Sequence, residues 1–291
     1  MNHQFESIIH TFKSGEAGLM VNGYLIETSD HIVAVDSALI ESAAKDMRKK
    51  LDSLEKPLAF VLLTHGHPDH YNGLTQLTAG MEVDIIATPG TDRLIRESDL
   101  AKEKQWSGVF GEEWPRKRTF PNRTLGDGQS VSIDGLTFTV YDLGIGESDS
   151  DSYWVMEGDG KKVAFIGDVV LHHIHAYGAD AHTFAWLRNL DRLIGDLRGF
   201  DRIYPGHGDS GGIELLNWQS RYLHELRVKI SDLAKGKTEL SESEKADLVE
   251  HMNHMFPDTK LNFLLINSAD QVAKELARER EERGSKSSLQ N

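Results

Sequence analysis

The sequence predicts a layered α/β fold that ends in a helical extension. Apolar runs typical of strands alternate with amphipathic helical segments up to about residue 212, and the pattern is mostly helical after that point. The length of 291 residues allows one large α/β domain or two small ones, and 39% hydrophobic with 27% charged residues is ordinary for a soluble globular protein. We therefore predict a core domain at 1–212, a helical extension packed on it at 213–283, and a disordered tail at 284–291.

The segments before residue 120 are predicted from the spacing of their apolar residues. "AGLMVNGYLIET" and "HIVAVDS" are typical of two strands joined by a polar turn. In "ESAAKDMRKKLDSLEK", Ala43, Met47 and Leu51 repeat at helical spacing. "LAFVLLT" is the continuous apolar run of a buried strand, and "EVDIIATP" predicts another strand. Residues 91–118, which include "QWSGVFGEEWP", are predicted to be irregular.

Two hairpins and a series of helices are predicted after residue 120. "QSVSIDGLTFTVYDL" has "DG" at its turn, and "DSYWVMEGDGKKVAFIGD" turns at "EGDGKK". "HTFAWLRNLDRLIGDL" predicts an amphipathic helix, and "DRIYPGHG" predicts a short strand and a loop. Three further helical segments follow, and together they make up the extension.

Composition argues against several classes of function. The formal charge of −14 disfavours nucleic acid as a partner, because phosphate binding needs a concentrated basic surface. The chain has no apolar stretch of about 18 residues, so no membrane span is expected, and its beginning lacks a signal-peptide pattern. The absence of cysteine excludes disulfides, thiolate metal ligands and a cysteine nucleophile. We expect a cytoplasmic protein that acts on a small molecule.

The stretch "THGHPDH" at 64–70 concentrates side chains that bind metals. His65, His67, Asp69 and His70 directly follow a predicted buried strand, and Pro68 interrupts regular structure there. The ends of strands commonly gather ligands at one edge of a sheet. Imidazole nitrogen and carboxylate oxygen suit zinc, and also iron or manganese. A surface loop with chance histidines is the alternative, but the density of these side chains argues against it.

Two later strand ends carry side chains of the same type. "KKVAFIGD" ends in Asp168, and "DRIYPGH" ends in His207, which has a glycine on each side. Each is a weak signal alone, because an aspartate after a strand is commonly a cap or turn residue. Taken with 64–70, they fit a two-metal site. One metal would take His65 and His67, the other would take Asp69, His70 and His207, and Asp168 would bridge them.

These motifs, in this order, resemble the metallo-β-lactamase-fold hydrolase superfamily. The resemblance extends over roughly residues 15–212, and Asp36 in "AVDS" stands where that superfamily has a supporting aspartate. It implies an αββα sandwich with the metals at one edge, so that residues 1–212 form the catalytic domain. It also implies two divalent metal ions, most often zinc, with manganese or iron as alternatives. Asp69 would be the catalytic residue, orienting a metal-bound hydroxide that attacks the substrate.

One position departs from the superfamily pattern. The superfamily usually supplies a third histidine to the first metal, but the corresponding stretch here, "LGIGESDSDSYW", has Glu147. Sets of two histidines and a glutamate occur in catalytic zinc sites, so we predict that Glu147 is a ligand. The alternative is that Glu147 points to water and the first metal is lost or weakly held. A carboxylate ligand would favour a harder metal than an all-histidine set.

The predicted function is that of a metal-dependent hydrolase that cleaves a small ester, lactone or thioester-type substrate. The alternatives are a mononuclear iron oxygenase or oxidoreductase on the same fold, a phosphodiesterase, and a non-catalytic metal-binding regulatory protein. Weaker candidates for substrate contact, each with an alternative role in packing or on the surface, are Tyr71, Trp106, Trp114 and His173. The helical extension would line the pocket or form the surface of a homodimer.

Overall fold

The computed structural model describes residues 6–288, and within them two β-sheets pack face to face. In spatial order the first sheet contains β1 (Ile8–Lys13), β2 (Asn22–Glu27), β3 (Ile32–Val35), β4 (Leu58–Leu62), β5 (Asp84–Ala87) and β6 (Arg123–Thr124). The second sheet contains β7 (Ser130–Ile133), β8 (Leu136–Gly144), β9 (Asp151–Gly158), β10 (Lys161–Leu171) and β11 (Arg202–His207).

Helices cover the outer faces of both sheets. In chain order they are α1 (Glu41–Asp52), α2 (Pro68–Tyr71), α3 (Leu74–Leu77), α4 (Pro89–Phe110), α5 (Thr183–Asp196), α6 (Glu214–Ala234), α7 (Glu242–Met255) and α8 (Asn262–Ser288). The first four accompany the first sheet, α5 and α6 pack against β10, and α7 and α8 pack against α6. This αββα sandwich with helices at its carboxyl end confirms the predicted fold class.

Large side chains between the two sheets form the central core. Tyr24 and Phe60 of the first sheet meet Phe138, Trp154 and Phe165 of the second. The rings of Phe60 and Phe138 pack edge to face with their centroids 5.8 Å apart. Because side chains alternate between the faces of a strand, the other residues of the first sheet pack outward against the helices. The two sheets are therefore fixed relative to each other.

Parallel pairing brings several strand ends to one edge of the sandwich. β3, β4 and β5 are parallel neighbours in the first sheet, and β10 and β11 are parallel in the second. An isolated bridge between His65 and Asp151 joins the two sheets where β4 has ended. Asp168 lies where the register between β10 and β11 shifts, and such a bulge re-aims a side chain. The chain after β4, the end of β10 and the end of β11 therefore meet.

One long helix replaces a segment that was predicted to be irregular. The prediction for residues 91–118 was wrong over most of its length, because α4 extends to Phe110. The Thr88 side chain caps this helix by accepting a hydrogen bond of 3.1 Å from the backbone N–H of Thr91. Few residues of α4 are buried, so it lacks the broad apolar stripe that identifies an amphipathic helix in a sequence. Trp106 consequently lies on a helix and not in a loop.

Two other features of the chain were not expected from the sequence. β1 was not predicted, and it pairs with β2 along its whole length as an edge strand whose side chains are only partly covered. The last helix continues to Ser288, into the segment 284–291 that was expected to be disordered, and residues 289–291 lie outside the described part of the chain. Among residues 6–288, no helix is both long enough and apolar enough to cross a bilayer.

Candidate metal centre

The structure brings the seven metal-type side chains together at the shared edge of the two sheets. They form two groups, and the ligand atoms within each group lie within 4.8 Å of one another. All seven residues are buried. The first group contains His65, His67, Glu147 and Asp168, and the second group contains Asp69, His70, Asp168 and His207. Asp168 is the member that the two groups share.

Pro68 explains why neighbouring residues serve different groups. His67 has the extended backbone of a helix N-cap residue, with φ −78° and ψ 145°, and α2 begins at Pro68. His65 and His67 therefore lie on an extended stretch, whereas Asp69 and His70 lie on a helical turn. The change of backbone conformation within four residues points the two pairs of side chains at two different places.

Asp36 organises the centre from beneath. Its carboxylate accepts hydrogen bonds from the backbone N–H of Thr64 (2.9 Å), from the Thr64 hydroxyl (2.8 Å) and from Nδ1 of His70 (2.9 Å). Asp36 has a left-handed backbone with φ 57°, which aspartate tolerates better than most residues. The "VDS" turn thus anchors both the loop after β4 and the His70 ring.

Each histidine of the two groups has one ring nitrogen held by an acceptor outside its group. His67 Nε2 lies 2.9 Å from Oδ2 of Asp180, and His207 Nδ1 lies 2.9 Å from the carbonyl oxygen of Leu19. His65 Nδ1 lies 3.1 Å from the Thr64 hydroxyl, whose own hydrogen is given to Asp36. His70 is held by Asp36 in the same way. These bonds assign the ring hydrogen to the outer nitrogen, so the inner nitrogen presents a lone pair.

The inner atoms of the two groups converge on one another. Glu147 Oε2 is 3.0 Å from Nδ1 of His67, and Asp168 Oδ1 is 3.1 Å from Nε2 of His70. Nevertheless, Nε2 of His65, Nε2 of His70, both oxygens of Glu147 and Oδ1 of Asp168 have no hydrogen-bond partner. A buried polar atom without a partner costs about 1–3 kcal/mol. Nitrogen and oxygen donors aimed at common points match the ligand preferences of divalent cations, so these residues fit such ions.

Glycines make room for this convergence. A Cβ atom at Gly206, next to His207, would clash with Oδ1 of Asp168. Gly167 has φ +51°, and a Cβ atom there would lie 2.5 Å from Oγ1 of Thr64. Close packing of β10 against β11 and the loop after β4 therefore depends on the absence of side chains at these two positions.

The loop that carries Glu147 is held in place by Asp151. Oδ2 of Asp151 accepts a 2.5 Å hydrogen bond from the backbone N–H of Glu147, and Oδ1 accepts bonds from the N–H (3.1 Å) and hydroxyl (2.6 Å) of Ser148. Asp151 is buried, and burial raises its pKa to about 6. Glu147 is thus placed by a fixed turn, and its side chain is only 1% exposed.

The carboxylates of the metal-free centre attract protons to most of its histidines. Burial opposes a charge on His67, yet Glu147 and Asp180 raise its pKa well above the usual value. Burial lowers the pKa of His70 too, but Asp168 and Asp69 outweigh that effect, so the pKa of His70 is also well above its usual value. Burial likewise opposes a charge on His207, but Asp168 and Asp69 raise its pKa to about 9. A site that binds protons so readily also attracts metal cations, which must displace those protons.

An apolar pocket opens above the two groups. Its enclosed space is small, about 50 Å³, and its mouth opens to solvent. Asp69, Glu147 and His207 contribute to its floor. Its walls include Leu19, Leu39, Lys102, Trp106, Phe110, Leu171, Tyr177 and Leu264. Such a mainly apolar cavity with a few converging polar groups is the usual form of a small-molecule site.

The four weaker candidates lie in different places. Trp106 lines the pocket, whereas Tyr71, Trp114 and His173 are not among its lining residues. The hydroxyl of Tyr71 donates to Oδ1 of Asp99 at 2.8 Å, behind the centre. Trp114 is buried and stacks on Phe110, and His173 is exposed beside the ring of Trp218.

Other residues at the centre were not found from the sequence. Asp180 bonds His67 and lies 3.9 Å from the ammonium nitrogen of Lys102, while Tyr177 lines the pocket nearby. Both Asp180 and Tyr177 lie in the segment after β10, which folds back over the centre. No local spacing or motif in "HHIHAYGADAH" signals that return, because it depends on contacts with α4. Asp151 was likewise hidden in a run of serines and aspartates.

Comparison with known proteins places this geometry in a family. Residues 34–219 match the family model described as the beta-lactamase superfamily domain. "Metallo-beta-lactamase type 2" of Bacteroides fragilis is 26% identical over 215 residues, which are 72% of this chain and 77% of that protein. "Hydroxyacylglutathione hydrolase GloC" of Haemophilus influenzae is 30% identical over 139 residues, which are 46% of this chain and 61% of that protein.

A solved structure supports the same assignment of the fold. The metallo-beta-lactamase from Pontibacter korlensis superposes with a TM-score of 0.58 at 21% identity, covering 75% of this chain and 95% of that one. The family match at 34–219 takes in more than half of the 291 residues and includes Asp36 and all seven residues of the two groups. The chain is therefore a member of the beta-lactamase superfamily.

Proposed function

We propose that the protein is a metal-dependent hydrolase that cleaves a small ester, lactone or thioester. The observation that carries this proposal is the pair of buried ligand groups that share Asp168 and form the floor of an apolar pocket. The H. influenzae relative is itself named a hydrolase. A centre for electron transfer or regulation alone would not need an apolar pocket that opens to solvent above it.

In this proposal, His65, His67 and Glu147 would hold one divalent ion, Asp69, His70 and His207 would hold the other, and Asp168 belongs to both groups. When bound, such ions would lower the pKa of water and polarise the bond to be cleaved. The outer hydrogen bonds to Asp36, Asp180, Thr64 and Leu19 keep the imidazole rings in the orientation that binding requires.

Asp69 has a second role in this proposal. Its side chain is 11% exposed and contributes to the floor of the pocket, and its Oδ2 lies 3.2 Å from Nε2 of His207. Burial would raise the pKa of Asp69, but His70 and His207 lower it to about 2, so it is a carboxylate at neutral pH. An ionised oxygen at this position can accept a hydrogen bond from the attacking water and direct it at the substrate.

The walls of the pocket favour a carbonyl substrate over a phosphodiester. Most of the wall residues are apolar, and the ammonium group of Lys102 lies 3.9 Å from a carboxylate oxygen of Asp180, which offsets its charge. Recognition of a phosphate commonly relies on arginine forks or several cations. The walls therefore suit a neutral group better than an anionic one.

The test is turnover by protein loaded separately with zinc, manganese or iron. Esters, lactones, thioesters and a phosphodiester are offered to each preparation, before and after removal of the metal with a chelator. We expect hydrolysis of at least one carbonyl substrate, which chelation removes and added metal restores. Turnover of the phosphodiester alone, hydrolysis that survives chelation, or no turnover with any metal would refute the proposal.

A further inference from the structure

The pocket above the metal centre adjoins an apolar groove at the surface. Leu19, Trp106 and Phe110 line both cavities, so the two share a wall. The groove is lined in addition by Val109 of α4 and Phe263 of α8. A molecule that fills the pocket and leaves through its open mouth would pass these shared side chains and meet the groove between the end of α4 and the start of α8.

The groove exposes large apolar side chains on both of its sides. Val109 is 69% exposed and Phe263 is 40% exposed. Hydration of such surface is unfavourable, and contiguous exposed apolar surface commonly marks a site that another molecule covers. The ring centroids of Trp106 and Phe110 lie 6.2 Å apart, and both rings border the groove as well as the pocket, so the two cavities have apolar side chains in common.

The helical extension supplies one side of this passage. Leu264 lines the pocket, and Leu261 and Phe263 line the groove. All three lie beyond residue 219, where the match to the family ends. The core domain therefore provides the metal ligands, and a segment outside the family match shapes the route by which a substrate reaches them.

Charge and polarity identify the kind of molecule that fits. Among the residues that line the groove, Glu16 carries the only charge, and Asn267 is the only other polar side chain. In the inner pocket, Lys102 is close to Asp180. No set of cations is available along the passage for a phosphate or sulfate group. The walls match an uncharged, extended apolar chain.

We propose that the protein prefers substrates with an extended apolar acyl chain, whose carbonyl group lies at the metal centre and whose chain lies in the groove between α4 and α8. This inference rests on the proposed hydrolase function. Burial of a methylene group is worth a factor of up to about fourfold in binding. The specificity constant, kcat/KM, should therefore rise by several-fold for each pair of carbons until the chain leaves the groove.

The first experiment compares acetyl, butanoyl, octanoyl and dodecanoyl esters of one leaving group, using metal-loaded protein. Val109→Glu places a charge in the groove at an exposed position on a helix. Val228→Glu is the matched control, because Val228 is 56% exposed on α6 and lines a different cavity. We expect kcat/KM to rise with chain length in the parent and in Val228→Glu, and to rise much less in Val109→Glu. The inference would be overturned if kcat/KM depended equally on chain length in all three proteins, or did not depend on chain length in the parent.

The second experiment measures binding without turnover. Titration calorimetry compares dodecanoate with butanoate on the metal-loaded protein, and the inference requires tighter binding of dodecanoate that Val109→Glu weakens. If short esters are cleaved without any effect of chain length, and dodecanoate binds no better than butanoate, the inference fails and the hydrolase function stands. If no ester is cleaved but dodecanoate binds in the expected way, the hydrolase function fails and the groove is retained.

Discussion

The two ligand groups of the metal centre have the same donors in different surroundings. Each contains two histidines, one carboxylate of its own and the shared Asp168. The carboxylate of the first group, Glu147, is 1% exposed, and its Oε2 lies 3.0 Å from Nδ1 of His67. The carboxylate of the second group, Asp69, is 11% exposed and lies within reach of Nε2 of His207. Identical composition therefore does not make the two groups equivalent.

The difference is also seen in the acidity of the two carboxyl groups. Burial raises the pKa of Glu147 to about 8, although the nearby His67 lowers it in part. For Asp69 the effect of burial is outweighed by His70 and His207, and the pKa falls to about 2. Glu147 is thus suited to bind a cation that replaces its proton, whereas Asp69 is already ionised at neutral pH. The neighbours of a buried carboxylate therefore determine its pKa, and with it whether the group is ionised at neutral pH.

The largest effect, a loss of turnover, is expected for Asp69, the more exposed of the two carboxylates. Asp69→Ala should reduce kcat by at least about 100-fold, because it removes both a metal ligand and the group that orients water. Steady-state kinetics on the metal-loaded protein measures the loss, and circular dichroism checks the fold. Asp149→Ala, at an exposed position on the loop that carries Glu147, should retain the parent's turnover. Near-parent turnover in Asp69→Ala would show that Asp69 does not orient water, and would remove the functional difference between the two groups.

The next effect, a loss of metal affinity, concerns Glu147, the more deeply buried of the two carboxylates. Glu147→Ala should weaken metal binding in the first group by roughly 100-fold and leave the second group nearly unchanged, because a direct ligand is lost from only one of them. Competition with a chromophoric chelator separates the two affinities. Glu147→His should restore binding and shift the preference from manganese or iron toward zinc, since imidazole is a softer ligand than carboxylate. Equal losses at both groups, or none, would show that Glu147 is not a ligand.

A smaller effect is expected from the residue behind His67. Asp180→Asn should weaken metal binding in the first group by about tenfold, because the bond that orients the His67 ring loses its charge. The absorption spectrum of the cobalt-substituted protein should change as well, which a purely structural role for Asp180 would not cause. Asp149→Asn is the control. The Asp149 side chain bonds His182, which lies in the segment that contains Asp180, and it does not bond His67. An unchanged cobalt spectrum and affinity in Asp180→Asn would refute this positioning role.

The smallest effect is the contribution of Glu147 to the pH dependence of metal binding in the first group. With a pKa near 8 in the metal-free chain, Glu147 holds a proton below that pH, and a metal ion must displace it. The ionised fraction of such a group falls about fivefold between pH 8 and pH 7, so affinity of the first group should fall with pH by that additional factor. Asp69 adds no such factor, because its pKa is about 2, and the protons that a metal displaces from the second group come from His70 and His207. Chelator competition at several pH values should show this extra slope, and Glu147→Gln should lack it.

Features that depend on short stretches of sequence were predictable. A metal site at one edge of the sandwich was predicted from the histidines at 64–70 and from the aspartate and histidine at two strand ends. Parallel strands end on the same side of a sheet, so these side chains were expected to meet. The strands and hairpins followed from period-two alternation and turn residues, and the layered fold followed from their order. The long helix α4 was missed, because a helix with few buried residues has no apolar stripe to reveal it.

Only the tertiary structure decided how these pieces cooperate. Asp180 meets His67 across 113 positions of sequence, and Asp151 holds the turn of Glu147 through backbone bonds that no composition predicts. The groove between α4 and α8 joins segments that are far apart in the chain, so no window of sequence contains it. By itself the sequence determined which chemical groups are available and at which strand ends they lie. Their burial, their outer hydrogen bonds and their access to substrate depend on long-range packing, because pKa and ligand geometry are set by neighbours in space.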